Sequence, residues 1–253
     1  MLDYFWKFRT DIPQALGTPN FSPTHLSWMV TSVLLIVAML LIYRRLSPTV
    51  RDRVIKGIAI LIALLDIARW LWAILLEHYS VLDMLPLHLC SLTTWTHLAG
   101  VFSGKKIFKD YGYALGLPGA LAAILTPDWY AYPFLSFQYL QAALIHTLLV
   151  LIPVLWVWGD GFRPNWRRLP KLFGLLAIYA IPVALINHWL GSNYLFIAWA
   201  PKDTPLEIFE KWFGNPGYLV PLVALILVVW VILYLPWAIS DWRKRARHQN
   251  ASS

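Results

Sequence analysis

The chain is 253 residues long, 59% hydrophobic and only 13% charged, about half the charged share of an ordinary soluble domain; this composition excludes a soluble globular protein and points to a membrane bundle. Its net charge of +8 falls in short clusters between apolar stretches, not on one basic face, which excludes a nucleic-acid-binding surface. The single cysteine, Cys90, excludes an internal disulfide framework.

In chain order, residues 1–13 mix Asp3, Lys7, Arg9 and Asp11 with Tyr4, Phe5, Trp6 and Phe8, unlike a cleavable signal. They read either as a short interfacial helix or as an irregular aromatic lead-in. A helix needs about 20 mostly apolar residues to cross the hydrocarbon core. On that measure the sequence predicts about seven transmembrane helices, at about 24–43, 54–76, 85–102, 111–125, 136–158, 170–190 and 218–239, with a basic tail at 240–253. The fold class is an all-α, polytopic membrane protein, and the whole of 1–253 forms one integral membrane domain. The loop DWYAYP (128–133) is expected at the membrane interface. In the long connection 191–217, PLEIFEKWF (205–213) has Leu206, Phe209 and Phe213 at helical spacing, which predicts a short amphipathic helix lying over the outer mouth of the bundle.

Alternate connections differ sharply in Lys and Arg. One set holds Arg44, Arg45, Arg51, Arg53, Lys56, Lys105, Lys106, Lys109, Arg163, Arg167, Arg168, Lys171, Arg243, Lys244, Arg245 and Arg247; the other holds only Lys7, Arg9, Lys202 and Lys211. A bias of 16 to 4 predicts the N-terminus outside and the C-terminus in the cytoplasm. The expected location is a multi-pass position in the cell membrane, the bacterial cytoplasmic membrane in the first instance.

Ionisable side chains within spans are costly unless paired or hydrated, so they mark candidate functional positions. Asp66 and Arg69, three residues apart, share a helix face and can pair. They read either as a structural ion pair or as a headgroup contact. PLHLCSLTTWTHL (86–98) is polar on more than one side, which predicts a central third helix. At about 1.5 Å per residue, Cys90 falls roughly 8 Å below the outer end of that helix, near the level of Arg69. His25, Asn187 and His188 sit at outer span ends, and His146 lies near the midplane. A buried cysteine is ordinarily an inert small hydrophobe, but a thiolate nucleophile needs a base or positive charge nearby. Histidines and an arginine at comparable depth supply that here. His146 is the first choice as base and His88 the second, since a direct His88–Cys90 pair needs a kink at Pro86. Pro118 frees the carbonyl of Ala114 from its helical bond, in a fourth helix rich in glycine.

At these residues a resemblance emerges. FSPTH, PLHLCSL, GLPGALAAILTPD, the IH of the fifth helix, HWLGSNYLF and FGNPGYL occur in matching order and resemble a bacterial YwaF-like integral membrane family. That family is related to the animal transmembrane-protein-164 group, which is linked to acyl transfer onto phospholipids through a membrane-embedded cysteine. The resemblance implies that Cys90 is the nucleophile, with His88 and His146 as its histidines and His25 as the entrance histidine. It maps GSNY onto Gly191, Ser192, Asn193 and Tyr194. The chain departs from the pattern at Asn215, where an aromatic is expected, and at Thr147, where glycine is common.

The function these calls point to is a membrane-embedded acyltransferase acting on phospholipid acyl chains through a cysteine thioester. Cys90, His146 and His88 are then catalytic; Arg69, Asp66, His25, Asn187, His188, Asn193 and Tyr194 contact the substrate or its oxyanion. Membrane phospholipids are the expected partners, with no cofactor and no metal, because no ligand motif such as HExxH occurs. The alternative is a secondary transporter or channel in which Asp66, Arg69, His97 and His146 line a polar path.

Overall fold

A computed structural model describes residues 2–202 and 204–251, with side chains described as far as Arg243. Lys244, Arg245 and Arg247 of the basic tail lie outside the described side chains. Among the described residues the regular structure is helical throughout. Nine α-helices follow one another: α1 Pro23–Arg45, α2 Pro48–Leu75, α3 Leu89–Ser103, α4 Lys106–Tyr111, α5 Leu117–Leu125, α6 Phe137–Val154, α7 Leu169–Leu190, α8 Pro205–Phe213 and α9 Leu219–Ala251. Among the described residues, five helices are long and apolar enough to cross a membrane: Pro23–Arg45, Pro48–Leu75, Phe137–Gly159, Trp166–Leu190 and Leu219–Arg243. Two further stretches fall short of that standard. α3 has 15 residues, about 22 Å of rise. The second, α4–α5, carries Lys106, Lys109 and Asp110 on its first turns.

The third helix begins four residues later than the sequence predicts. Pro86 disfavours helical backbone at Leu85, and the turn it creates is fixed from outside. The Tyr194 hydroxyl accepts from the Leu85 amide at 2.9 Å and the Tyr179 hydroxyl donates to the Leu87 carbonyl at 3.1 Å. His88 is therefore the N-cap of α3, with extended backbone, and Cys90 is its second residue, not a position well down the helix. α3 packs against α2, α4, α5 and α6. Among the five long helices α6 is the most enclosed, 78% buried against 11% for α1, α7 and α9. α6 is largely apolar, with Gln138, Gln141, His146 and Thr147 as its polar residues, whereas α3 buries Ser91, Thr93, Thr94, His97 and Gly100 on one side.

Prolines inside the bundle explain two of its cross-links. Pro118 cannot bond back to Ala114, and the Trp230 indole N–H donates to that carbonyl at 2.8 Å. Pro153 likewise frees the Leu149 carbonyl, which lies 3.1 Å from Nε2 of the fully buried His97. Each site adjoins a π-helical turn, Gly112–Gly116 beside α5 and Leu155–Gly159 after α6, where the ladder absorbs an extra residue. Gly112 is there for space: a Cβ would lie 2.8 Å from His97 Cε1 and 2.9 Å from Trp156 Cζ3. Replacing Trp230 by Phe strands the Ala114 carbonyl in an apolar core and costs about 1–3 kcal/mol. Unfolding of the purified variant in detergent measures it, and wild-type stability there would mean that water or another donor serves the carbonyl.

The bundle has two chemically distinct ends. At one, Arg51 bonds the carbonyls of Leu46 and Gly159 at 3.0 and 3.1 Å, Arg163 pairs with Asp241, and Arg168 with Asp110. This is the basic end, where the α1–α2 turn, the α3–α4 turn and the α6–α7 connection meet. The other end gathers aromatics. There the N-terminal segment is folded onto the bundle: Phe8 and Ile12 are buried, the Trp72 indole donates to the Trp6 carbonyl at 3.0 Å, and the Phe137 amide to Phe5 at 2.8 Å. The DWYAYP loop enters the bundle as well, burying Trp129 and Tyr132. Tyr130 of the same loop stays exposed.

Candidate functional site at the aromatic end

The first turn of α3 is the natural starting point. The backbone N–H groups at a helix start have no helical acceptor, and those of Leu89, Cys90 and Ser91 find none elsewhere among the described residues. Cys90 sits among these donors, at the positive end of the helix dipole, and its side chain is partly exposed. No hydrogen bond joins its Sγ to a histidine. Its electrostatic neighbours are Asp128, Asp66 and Arg69.

His146, on α6, feels two of the same charges, Asp128 and Arg69. Its Nδ1 lies 2.6 Å from the Ala142 carbonyl, which makes Nδ1 the protonated nitrogen and leaves the Nε2 lone pair open. The ring is stacked on Trp129 at 4.8 Å and 20°. His88 feels the same two charges; its ring packs against Tyr194 at 5.0 Å and Phe196 at 5.1 Å. Three candidate catalytic residues thus share one electrostatic neighbourhood, with Arg69 and Asp128 common to all three.

The expected Asp66–Arg69 ion pair does not form within 4.0 Å. Arg69 acts on Asp66 at longer range, and Asp66 is buried with Oδ2 unpartnered. Among the described residues the guanidinium has no carboxylate within 4.0 Å, which suits an anionic group of a bound molecule.

The remaining residues divide differently from the sequence expectation. The His25 ring is enclosed: Nδ1 accepts from the Phe21 amide at 2.9 Å, so Nε2 carries the proton and donates to the Ile124 carbonyl at 2.9 Å. It ties the start of α1 to the end of α5. The Asn187 amide donates to the Tyr194 carbonyl at 2.9 Å, and its oxygen accepts from Ser192 Oγ and the Tyr194 amide at 2.9 and 2.8 Å. Asn193 donates to Trp199 and accepts from Ala198 and Trp199. The Tyr194 hydroxyl also donates to the Val81 carbonyl at 2.7 Å. These three groups therefore have their polar atoms engaged in holding the loop. That loop needs holding, because Leu195 and Phe196 have φ of 60° and 55°, a left-handed backbone costly for non-glycine residues. His188 is exposed near the end of α7. Of the two departures from the family pattern, Thr147 links α6 to Ser32 of α1 at 2.9 Å, and the Asn215 amide donates to the Ala198 carbonyl at 2.6 Å.

Two residues of this neighbourhood escaped sequence reasoning. Asp128 reads as a turn residue after Pro127, yet its charge reaches Cys90, His88 and His146. Tyr111 passes in the sequence as the first residue of the fourth span, yet its hydroxyl is buried, beside Thr93 and within electrostatic reach of Cys90. The aspartate that closes the GLPGALAAILTPD motif was the available signal for the first. Nothing in the sequence marked the second. Among the described residues, no three His, Cys, Asp or Glu side chains are grouped to hold a metal ion.

The TMEM164 family matches residues 20–234 of the chain, a stretch that includes every residue of this site. No curated protein and no solved structure matches.

Proposed function

Because this chain belongs to the TMEM164 family, a membrane family, we propose that it is a lipid acyltransferase working through a thioester on Cys90. The supporting observation is the convergence at the start of α3: a thiol among three free backbone N–H groups, a histidine with its Nε2 open, and an unpaired guanidinium.

In the proposed reaction His146 Nε2 takes the Cys90 proton as the thiolate attacks the ester carbonyl carbon of a phospholipid acyl chain. The amides of Leu89, Cys90 and Ser91 receive the developing oxyanion. Collapse breaks the carbon–oxygen bond to glycerol, whose oxygen takes the proton from His146 and leaves as a lysophospholipid. The hydroxyl of an acceptor lipid then gives its proton to His146 and attacks the thioester, and the leaving Cys90 sulfur takes that proton back. Arg69 holds a headgroup phosphate. His88 stays a second candidate for the base.

The topology belongs to the same proposal. The chain passes the bilayer seven times, N-terminus outside and C-terminus in the cytoplasm, with α3 and α4–α5 as the two passes of marginal length. Support comes from the collection of Arg51, Lys109, Arg163 and Arg168 at one end, as a positive-inside bias requires. We place the chain on the bacterial YwaF-like branch and in the cytoplasmic membrane, on the strength of the ordered motifs. α8, with Ile208 and Trp212 exposed, lies in the outer interface.

Intact mass of the purified protein after incubation with mixed phospholipids tests the chemistry. A fatty-acyl increment removed by hydroxylamine identifies the thioester. Absence of both increment and lipid turnover, together with solute flux in proteoliposomes that depends on Asp66, would replace this reading with a transporter.

A further inference from the structure

The basic end holds a cavity of about 290 Å³ that the proposed chemistry does not use. Tyr43, Arg51, Asp52, Val101, Lys109 and Trp156 line it. Along α3 its lining residue Val101 lies about 17 Å from Cys90, from the rise per residue, so the two sites face opposite ends of the bundle.

The charges around it do not cancel. Arg51 is spent on backbone, donating to the carbonyls of Leu46 and Gly159 at 3.0 and 3.1 Å and to that of Arg44. Asp52 is paired with Lys56 at 2.7 Å. Asp160, which also lines the cavity, keeps its charge while accepting from the Tyr43 hydroxyl at 3.0 Å, so Arg51, Lys56 and Lys109 stand against Asp52 and Asp160 and leave one positive charge over. Lys109 has no carboxylate within 4.0 Å among the described residues. Its ammonium lies over the rings of Trp156 and Phe162 at 5.7 and 5.8 Å, contacts that anchor a cation without neutralising it. Val101 and Trp156 give the cavity an apolar wall beside this free charge, the mixture typical of small-molecule sites. Its volume is at the lower limit for such sites, which suits a headgroup and not a whole lipid.

We propose that this cavity binds a phosphate group of net negative charge, with Lys109 as the cation that meets it. The group comes either from an anionic phospholipid headgroup or from free phosphate. Anionic headgroups are at hand there, because basic pockets between helices at the cytoplasmic face of a membrane recruit them; that placement rests on the orientation proposed above.

Native mass spectrometry of the full chain in detergent tests the site, using phosphatidylglycerol, phosphatidylcholine and inorganic phosphate as probes. Wild type retains phosphatidylglycerol over phosphatidylcholine, and Lys109→Met lowers that retention about tenfold, the loss expected for one charge-assisted contact. Lys109→Arg keeps it. Displacement of phosphatidylglycerol by millimolar inorganic phosphate identifies the phosphate alone as sufficient, and resistance to displacement identifies the lipid headgroup. Equal retention of the two lipids by wild type overturns the proposal, a comparison that stands even if Lys109→Met does not fold. Undiminished retention in a folded Lys109→Met overturns it as well. Repeating the binding on Cys90→Ser separates this site from the acyl-transfer reading, since retention is expected to survive there unchanged.

Discussion

Replacing His146 with Gln slows acylation of Cys90 by about 10²–10⁴-fold, the usual worth of a positioned general base, while Cys90→Ser yields no thioester at all. The size of the effect follows from the environment of His146. Its Nδ1–H is fixed on the Ala142 carbonyl at 2.6 Å and its ring is stacked on Trp129, so the free nitrogen is Nε2 and the ring is held in one orientation. Gln keeps a polar group there but cannot carry the proton from sulfur to the leaving oxygen. Single-turnover acylation, followed by intact mass, measures both variants against wild type. His88→Gln is the discriminating control. His88 lies against Tyr194 and Phe196 with no hydrogen bond to orient it, and its variant is expected to acylate within about tenfold of wild type, well short of a missing base. If His88→Gln falls by the larger factor and His146→Gln does not, the base is His88.

The largest loss of stability is expected from Arg168→Met, at about 3–5 kcal/mol, the cost of leaving a buried charge without its partner. The Asp110 carboxylate is 1% exposed. It is held by the Arg168 guanidinium and by the Asn165 amide at 2.9 Å, which fixes the α6–α7 connection onto α4. After Arg168→Met only the amide remains. Asp110→Asn in the same background removes the stranded charge and is expected to recover most of the loss, because a polar amide still accepts from Asn165. Denaturant midpoints in detergent for the two single variants and the double variant measure the coupling. Additive losses would mean that the two residues stabilise the protein independently.

Much of the scaffold was legible because it rests on composition. Spans of apolar residues stop at Arg44 and Arg45, at Lys105 and Lys106, and at Arg163, and five of them form helices of membrane-crossing length. The start of the third span was misplaced for a non-local reason: the tyrosine hydroxyls that stabilise the non-helical turn around Pro86 come from Tyr179 and Tyr194, over 90 residues away. The carbonyl freed by Pro118 was readable from the sequence, its partner Trp230 was not. Candidate site residues followed the same pattern. Cys90, His88, His146 and Arg69 stood out as costly polar groups within apolar spans, and they share one electrostatic neighbourhood. His25, Asn187, Asn193 and Tyr194 stood out equally, yet their polar atoms are engaged by backbone groups.

The sequence by itself determined that the chain is a helical membrane protein, where its long helices run, and which residues are chemically costly enough to need a purpose. Those properties follow from local transfer energies, which each residue carries wherever it is placed. Only the tertiary structure decided which costly residues are satisfied within the protein and which stay open: His25 closed and His146 Nε2 free, Asp110 matched to Arg168 and Lys109 unmatched. Hydrogen bonds and ion pairs form over a few ångströms between residues remote in sequence, so no reading of spacing along one chain contains them.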